Sequence, residues 1–238
     1  MFKIKVDASM IHGSVAPSFE EVREQFKKNF AERGELGAAC AIYHRGKKVV
    51  DLWGGHRDAK SLAPWEEDTL VTVASTTKGL AAMTIAVAHS RGLLDFDEKV
   101  ATYWPEFAQQ GKDNITVRQL LSHQACLPVI DPPLDIETAA NLDAVAAAIA
   151  RQKPTWQPGT KQGYHAVSLF PDFKFGSSDK AFGMPGTGGS LGYADPDVQV
   201  GFAYTPNKWK FYLFNDPRQM ALRDALYACL KEGGNPLD

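Results

Sequence analysis

Ser75 and Lys78 stand three residues apart in Ser75-Thr76-Thr77-Lys78, at the head of a helix-forming run that continues Gly79-Leu80-Ala81-Ala82. On a helix, positions i and i+3 share a face, with Cβ atoms roughly 5–6 Å apart. A serine hydroxyl is a poor nucleophile at neutral pH unless a neighbouring base takes its proton. A lysine in drier surroundings gives up its own proton and becomes such a base. The spacing therefore suits a Ser-Lys nucleophile, the chemistry of a hydrolase. Taken alone the tetrad says little, because Ser75 also makes a good helix N-cap and Lys78 an ordinary solvated lysine.

Three further stretches follow it in order. They are Leu120-Leu121-Ser122-His123-Gln124-Ala125-Cys126-Leu127-Pro128, then Trp156-Gln157-Pro158-Gly159-Thr160-Lys161-Gln162-Gly163-Tyr164-His165-Ala166, then Phe182-Gly183-Met184-Pro185-Gly186-Thr187-Gly188-Gly189-Ser190-Leu191-Gly192. Together with the tetrad they resemble the serine β-lactamase and penicillin-binding-protein superfamily, and within it the class C β-lactamase-like esterases called family VIII carboxylesterases. The resemblance covers roughly residues 15–230.

The resemblance implies a role for each segment. Tyr164, shortly after the Pro158-Gly159 turn, matches the family's tyrosine motif. A phenol beside an ammonium ionises well below its usual pKa of about 10, and it then relays the serine proton to the leaving group. Met184-Pro185-Gly186, followed by Thr187, Gly188 and Gly189, matches the third motif, which is K-T-G in β-lactamases and H-x-G or W-x-G in the esterases. That motif lies on a strand edging the site, where glycines let substrate approach the backbone. One of its N–H groups joins the N–H of Ser75 in an oxyanion hole, and one such donor is worth roughly 2.7–4 kcal/mol of barrier. The 120–128 segment matches a structural motif, L-L-S-H-x-S-G-L, so Ser122 and His123 are read as non-catalytic. Adjacent helix residues also do not face each other.

Two departures from the family pattern bear on function. Met184 stands where a cationic or hydrogen-bonding side chain is usual, and Pro185 removes a backbone donor. A methionine does not attract the carboxylate of a β-lactam or peptide, so neutral, apolar acyl esters are favoured. Tyr164 and Met184 are also only twenty residues apart, against a much longer stretch in the family. This implies a deletion near Ser168-Leu169, a reduced helical lobe, and an open site. Apolar faces that the missing helices cover, that of the Ser75 helix included, would then be exposed and prone to pair in a homo-oligomer.

The elements that must position these groups are legible from periodicity. Residues 18–33 read as a helix with Ser18 as N-cap, Glu21 completing a capping box, and Phe19, Val22, Phe26 and Phe30 on one stripe. Residues 38–44 and 49–53 read as strands around the turn Arg45-Gly46-Lys47-Lys48. Residues 75–90 form the strongest helix, apolar on most of its circumference and so read as buried, with Gly92 as its stop. Helices are expected at 116–123, capped by Thr116, and at 136–152. Strands are expected at 191–194, 198–204 and 210–214, and a last helix over 217–231 with Asp216 as cap and Pro217 at its first position.

Composition bounds the rest. The 238 residues are 44% hydrophobic and 23% charged, with net charge −2, an ordinary globular balance that gives no reason to expect a nucleic-acid or membrane partner. Cys40, Cys126 and Cys229 are too few and too scattered for a disulfide framework and read as core residues. The histidines form no ligand pair, so no metal is expected, and the chemistry needs no cofactor. No apolar leader or spanning run is seen, which makes a cytoplasmic location the expectation.

The expected fold is α/β (α+β) and serine β-lactamase-like: an antiparallel sheet from residues 38–53 and 190–214, flanked by terminal helices, with a shortened helical lobe. It is one domain over 1–238, with a sheet lobe of 1–70 and 170–238 and a helical lobe of 71–169. The expected activity is hydrolysis of short-chain carboxylic esters, small-molecule substrates, through an acyl-enzyme on Ser75. Lys78 is the base, Tyr164 the relay, and the Met184–Gly189 stretch, Thr187 included, the oxyanion and substrate region. β-Lactamase or D,D-peptidase activity, and a non-catalytic scaffold disabled by the deletion, are the alternatives.

Overall fold

The computed structural model describes residues 6–163, 174–212 and 215–232. Six strands form a single antiparallel sheet: β1 (Ile11–Val15), β2 (Gly37–His44), β3 (Lys47–Gly55), β4 (Phe182–Gly186), β5 (Ser190–Asp195) and β6 (Val200–Pro206). Their order is β1-β3-β2-β6-β5-β4, so the early hairpin pairs with the late strands through β2 and β6, with Cys40 opposite Tyr204. The turn joining β2 and β3 puts Arg45 and Gly46 at φ 51 and 74. Two successive positive φ values are what a tight hairpin turn needs to match the strand twist.

The chain divides into two compact units, Met1–Ala81 with Asp172–Asp238, and Ala82–Pro171. In the first, α1 (Glu20–Ala31) and α7 (Pro217–Glu232) are packed with the sheet. Val22, Phe26 and Phe30 of α1 and Leu222, Leu226 and Cys229 of α7 are buried with alternate residues of the strands, among them Cys40, Ile42, Val50, Leu52, Phe202 and Tyr204. Period 3–4 on the helices and period 2 on the strands bring one apolar face of each together. Each large side chain so buried contributes about 1.5–3 kcal/mol.

The second unit has its own core of Val100, Phe107, Ile115, Val117 and Ala125. It contains α3 (Val100–Tyr103), α4 (Val117–Leu121), α5 (Ile136–Ala139) and α6 (Leu142–Arg151). Thr116 caps α4 through a reciprocal box with Gln119. Lys112 is fully buried here; its Nζ donates to the carbonyls of Gln109, Ala150 and Gln152 and lies 5.3 Å from the Phe107 ring centroid. It ties the 105–112 loop to the end of α6.

Several sequence expectations are corrected. Ser18 does not cap α1: Pro17 starts a 3-10 turn over Pro17–Phe19, and the α-helix begins at Glu20 without a side-chain cap. The expected 136–152 helix is two helices, because the Asn141 side chain accepts from the Asp143 and Ala144 N–H groups and starts α6 afresh. Residues 210–212 lie in no strand, while β1 and β4 are additional strands. Residues 213 and 214 lie outside the described residues. The helix α2 (Thr76–Ser90) has no buried residue, and Leu80, Met83 and Val87 are 56%, 59% and 43% exposed. Its apolar composition therefore does not translate into burial. All three cysteines are buried and unpaired. Among the described residues no helix is long and apolar enough to cross a membrane, and no cluster of three or more metal-ligating side chains occurs.

Candidate active site

The turn into α2 places the Ser-Lys pair. Thr76 N–H donates to Val73 O at 3.2 Å, Thr77 N–H to Ala74 O at 3.1 Å and Lys78 N–H to Ser75 O at 2.9 Å. Ala74 takes φ 46, a left-handed conformation that a side chain disfavours. Ser75 is half-buried, and Lys78 Nζ donates to Ser75 Oγ at 3.0 Å. For lysine to act as base the hydrogen must run the other way, from Oγ–H to a neutral amine. Lys78 is exposed, so the described residues do not supply the dry surroundings that the sequence reading assigned to it.

The third-motif strand reaches the same turn. Ser190 Oγ, at the start of β5, donates to Val73 O at 2.7 Å and lies 3.0 Å from Thr76 Oγ1. Gly186, at the end of β4, is pressed against this junction. A Cβ there would stand 2.2 Å from both Val73 O and Ser190 Oγ, so no larger residue fits without moving the backbone. Met184 is half-buried, and a Cβ on Gly79 would lie 3.6 Å from Met184 Cβ. The methionine thus faces the first turn of α2, one residue past Lys78.

Thr187, Gly188 and Gly189 form the loop between β4 and β5. Gly189 N–H donates to Gly186 O at 3.1 Å and closes the loop, so it is not the donor offered to an oxyanion. The loop is held from behind. Arg218 Nη2 donates to Gly188 O at 2.9 Å, and Arg218 Nη1 to Lys208 O at 2.8 Å and to Glu35 Oε2 at 2.8 Å. Asp216 accepts from Arg218 Nε at 3.0 Å and Nη2 at 2.7 Å, and Tyr204 OH donates to Glu35 Oε2 at 2.5 Å. The Trp209 ring rests on Gly188, where an added Cβ would lie 3.0 Å from it. Glu35, Asp216 and Arg218 are all buried. Burial pushes the Glu35 carboxyl above its usual range, against the pull of the Arg218 guanidinium. Burial works against the guanidinium too, but its hydrogen bond to Asp216 and the charge of Glu35 outweigh it and hold Arg218 more firmly protonated.

In the second unit, the 120–128 segment braces the loop that leads to Tyr164. Gly159 N–H donates to Gln124 O at 3.0 Å, Gly163 N–H to His123 O at 2.7 Å, and Thr155 N–H to Cys126 O at 2.9 Å. Ser122 Oγ donates to Arg118 O at 2.8 Å. That hydroxyl is bonded to its own helix. Tyr164 and the inferred junction near Ser168-Leu169 lie outside the described residues.

The sequence reading located Ser75, Lys78, Met184 and the Gly186–Gly189 stretch, which the structure brings to one end of the sheet. It gave no role to Thr76, Ser190, Trp209 or the Glu35–Asp216–Arg218 cluster. One signal for the cluster was present: an arginine in the first turn of a helix opposes the helix dipole, so Arg218 needed another reason to be there.

A family model described as Beta-lactamase matches residues 22–169. The chain is 40% identical over 117 residues to the esterase/beta-lactamase LipL of Mycobacterium tuberculosis, covering 49% of this chain and 27% of that protein. It is 25% identical over 133 residues to a beta-lactamase of Escherichia coli, covering 56% and 34% respectively. The chain thus spans about a quarter to a third of the length of these curated relatives. Among solved structures it is similar to a family VIII carboxylesterase, with TM-score 0.83 and 26% identity, over 92% of this chain and 100% of that one. A penicillin-binding-protein homologue from Caulobacter crescentus gives TM-score 0.82 and 27% identity over the same shares.

Proposed function

The chain belongs to the β-lactamase family, and from that premise we propose that it is a serine hydrolase cleaving neutral, short-chain carboxylic esters through an acyl-enzyme on Ser75. The observation that carries the reading is the 3.0 Å contact of Lys78 Nζ with Ser75 Oγ, inside a turn that Ser190 ties to the third-motif strand. With the lysine neutral, Ser75 Oγ loses its proton to Lys78 and bonds to the ester carbonyl carbon. The carbonyl oxygen becomes an oxyanion facing backbone N–H groups of Ser75 and the third-motif stretch. As the tetrahedral adduct collapses, the bond to the alkoxy oxygen breaks, and Tyr164 hands that oxygen the proton from Lys78. Water then gives a proton back along the same route, attacks the acyl carbon and frees the acid, leaving Ser75 with its hydrogen.

Met184 supports the choice of a neutral ester, because an apolar residue stands beside the first turn of α2 where a β-lactam carboxylate needs a cation. The test is hydrolysis of p-nitrophenyl acetate and butyrate beside Ser75→Ala, with fluorophosphonate labelling in parallel. Loss of both turnover and labelling in the variant is expected. Equal rates in the two proteins, or an unlabelled Ser75 in the parent, overturn the reading in favour of a non-catalytic scaffold. β-Lactam hydrolysis by the same serine is the second reading, favoured by the E. coli relative, a beta-lactamase. Turnover of a chromogenic cephalosporin faster than of the esters would select it.

A further inference from the structure

We infer that Arg218 is a positioning residue for the oxyanion loop: its buried guanidinium bolts the Thr187–Gly189 loop and the segment carrying Trp209 into the shape in which a loop N–H faces a substrate carbonyl. The inference rests on the ester-hydrolase reading above.

The geometry is specific to a guanidinium. Arg218 reaches five groups from one planar fork: Gly188 O, Lys208 O, Glu35 Oε2 and both oxygens of Asp216. The partners come from separate parts of the fold, namely the β4–β5 loop, the stretch after β6, the stretch after α1 and the cap of α7. Fixed directions and five donors make such a joint rigid in a way that a lysine ammonium is not. The loop is shaped to receive it. Gly189 has φ 106, and a Cβ on it would lie 2.4 Å from Arg218 Nη2. Gly188 has φ 101 and gives up its side chain to Trp209 in the same way.

The loop sits at the margin of the sheet, since β4 is an edge strand and Thr187 is exposed. With Gly189 N–H spent on Gly186 O, the N–H groups that can meet an oxyanion are those just before it. Arg218 grips the carbonyl of the Gly188–Gly189 peptide, the same peptide whose N–H closes on Gly186 O, and so fixes the end of the loop from which the Thr187 and Gly188 N–H groups extend. Two buried carboxylates, Glu35 and Asp216, pair with the guanidinium and keep it in place.

The experiment compares Arg218→Lys with the parent chain by p-nitrophenyl butyrate kinetics and by hydrogen exchange of individual backbone amides. The expected result is a kcat about tenfold or more lower with KM little changed, since displacing an oxyanion donor costs chemistry more than binding. Faster exchange at Thr187 and Gly188 should accompany it, while Tyr193 in β5 stays protected. Should Arg218→Lys fail to fold by circular dichroism, Asp216→Asn loosens the same grip while keeping shape and one acceptor, and the same split is expected at smaller size. Unchanged kcat in a folded variant, or unchanged exchange at the loop, overturns the inference alone. A parent chain without Ser75-dependent hydrolysis overturns the ester reading and the inference together.

Discussion

Ala74 carries a cost at the point where the chain turns into the Ser75–Lys78 end of its helix. A non-glycine residue at φ 46 is strained by about 1–2 kcal/mol, and strain of this kind gathers at functional sites. Ala74→Gly is therefore expected to raise stability by about 1 kcal/mol, measured by urea unfolding; an unchanged or lower midpoint would show that the turn is relaxed as it stands. Nothing in the sequence marks Ala74, because the strain belongs to the fold rather than to the residue. Ser75 and Lys78, by contrast, were legible because their spacing and their chemistry coincide. Arg218 was visible as a residue and hidden as a joint: its five partners come from four stretches of chain, and no local pattern announces that.

At the scale of elements, legibility followed how local the forces are. The β2–β3 hairpin was readable because Arg45-Gly46 supplies the two positive φ values itself. The α1 stripe was readable because Val22, Phe26 and Phe30 recur at helical spacing. β4 offers Gly183, Pro185 and Gly186, a poor strand by composition, and it exists because β5 pairs with it. The burial of α2 was misread because composition reports what a helix could bury and not what covers it. One further clamp was equally silent. Asp195, buried at the end of β5, accepts from Ser177 N–H at 2.6 Å and from Tyr227 OH at 2.7 Å, binding the 174–181 stretch and α7 to the sheet. Burial pushes its carboxyl up, but these hydrogen bonds outweigh that and hold its pKa below the usual 3.8. The unfolded chain therefore binds the proton more readily, and the stability from this site is full above pH 3.8 and lost as pH falls through the lowered value. Asp195→Asn should cost about 2 kcal/mol at neutral pH, with the gap to the parent closing in acid. A gap that is constant from pH 7 to pH 3 would show that charge is not what the site uses.

For the molecule as a whole, two separate cores and an uncovered α2 set the behaviour in solution. Leu80, Met83 and Val87 stand in water at spacings that share one side of the helix. Exposed apolar stripes tend to associate, so self-association of the parent chain is expected by light scattering, with Met83→Lys/Val87→Lys less associated. Because neither side chain is buried, the unfolding free energy should stay within about 0.5 kcal/mol of the parent. A monodisperse parent monomer would contradict this. The pairing of β2 with β6 has a consequence for biosynthesis. The nascent chain presents Gly37–His44 long before Val200–Pro206 is made, so the hairpin's inner edge stays an open template while Ser75 and all of α2 leave the ribosome. Contacts this distant in sequence close slowly, and a waiting strand edge invites the wrong partner. Synthesis rate and chaperone supply should thus decide the yield of this chain more than the stability of its finished sheet.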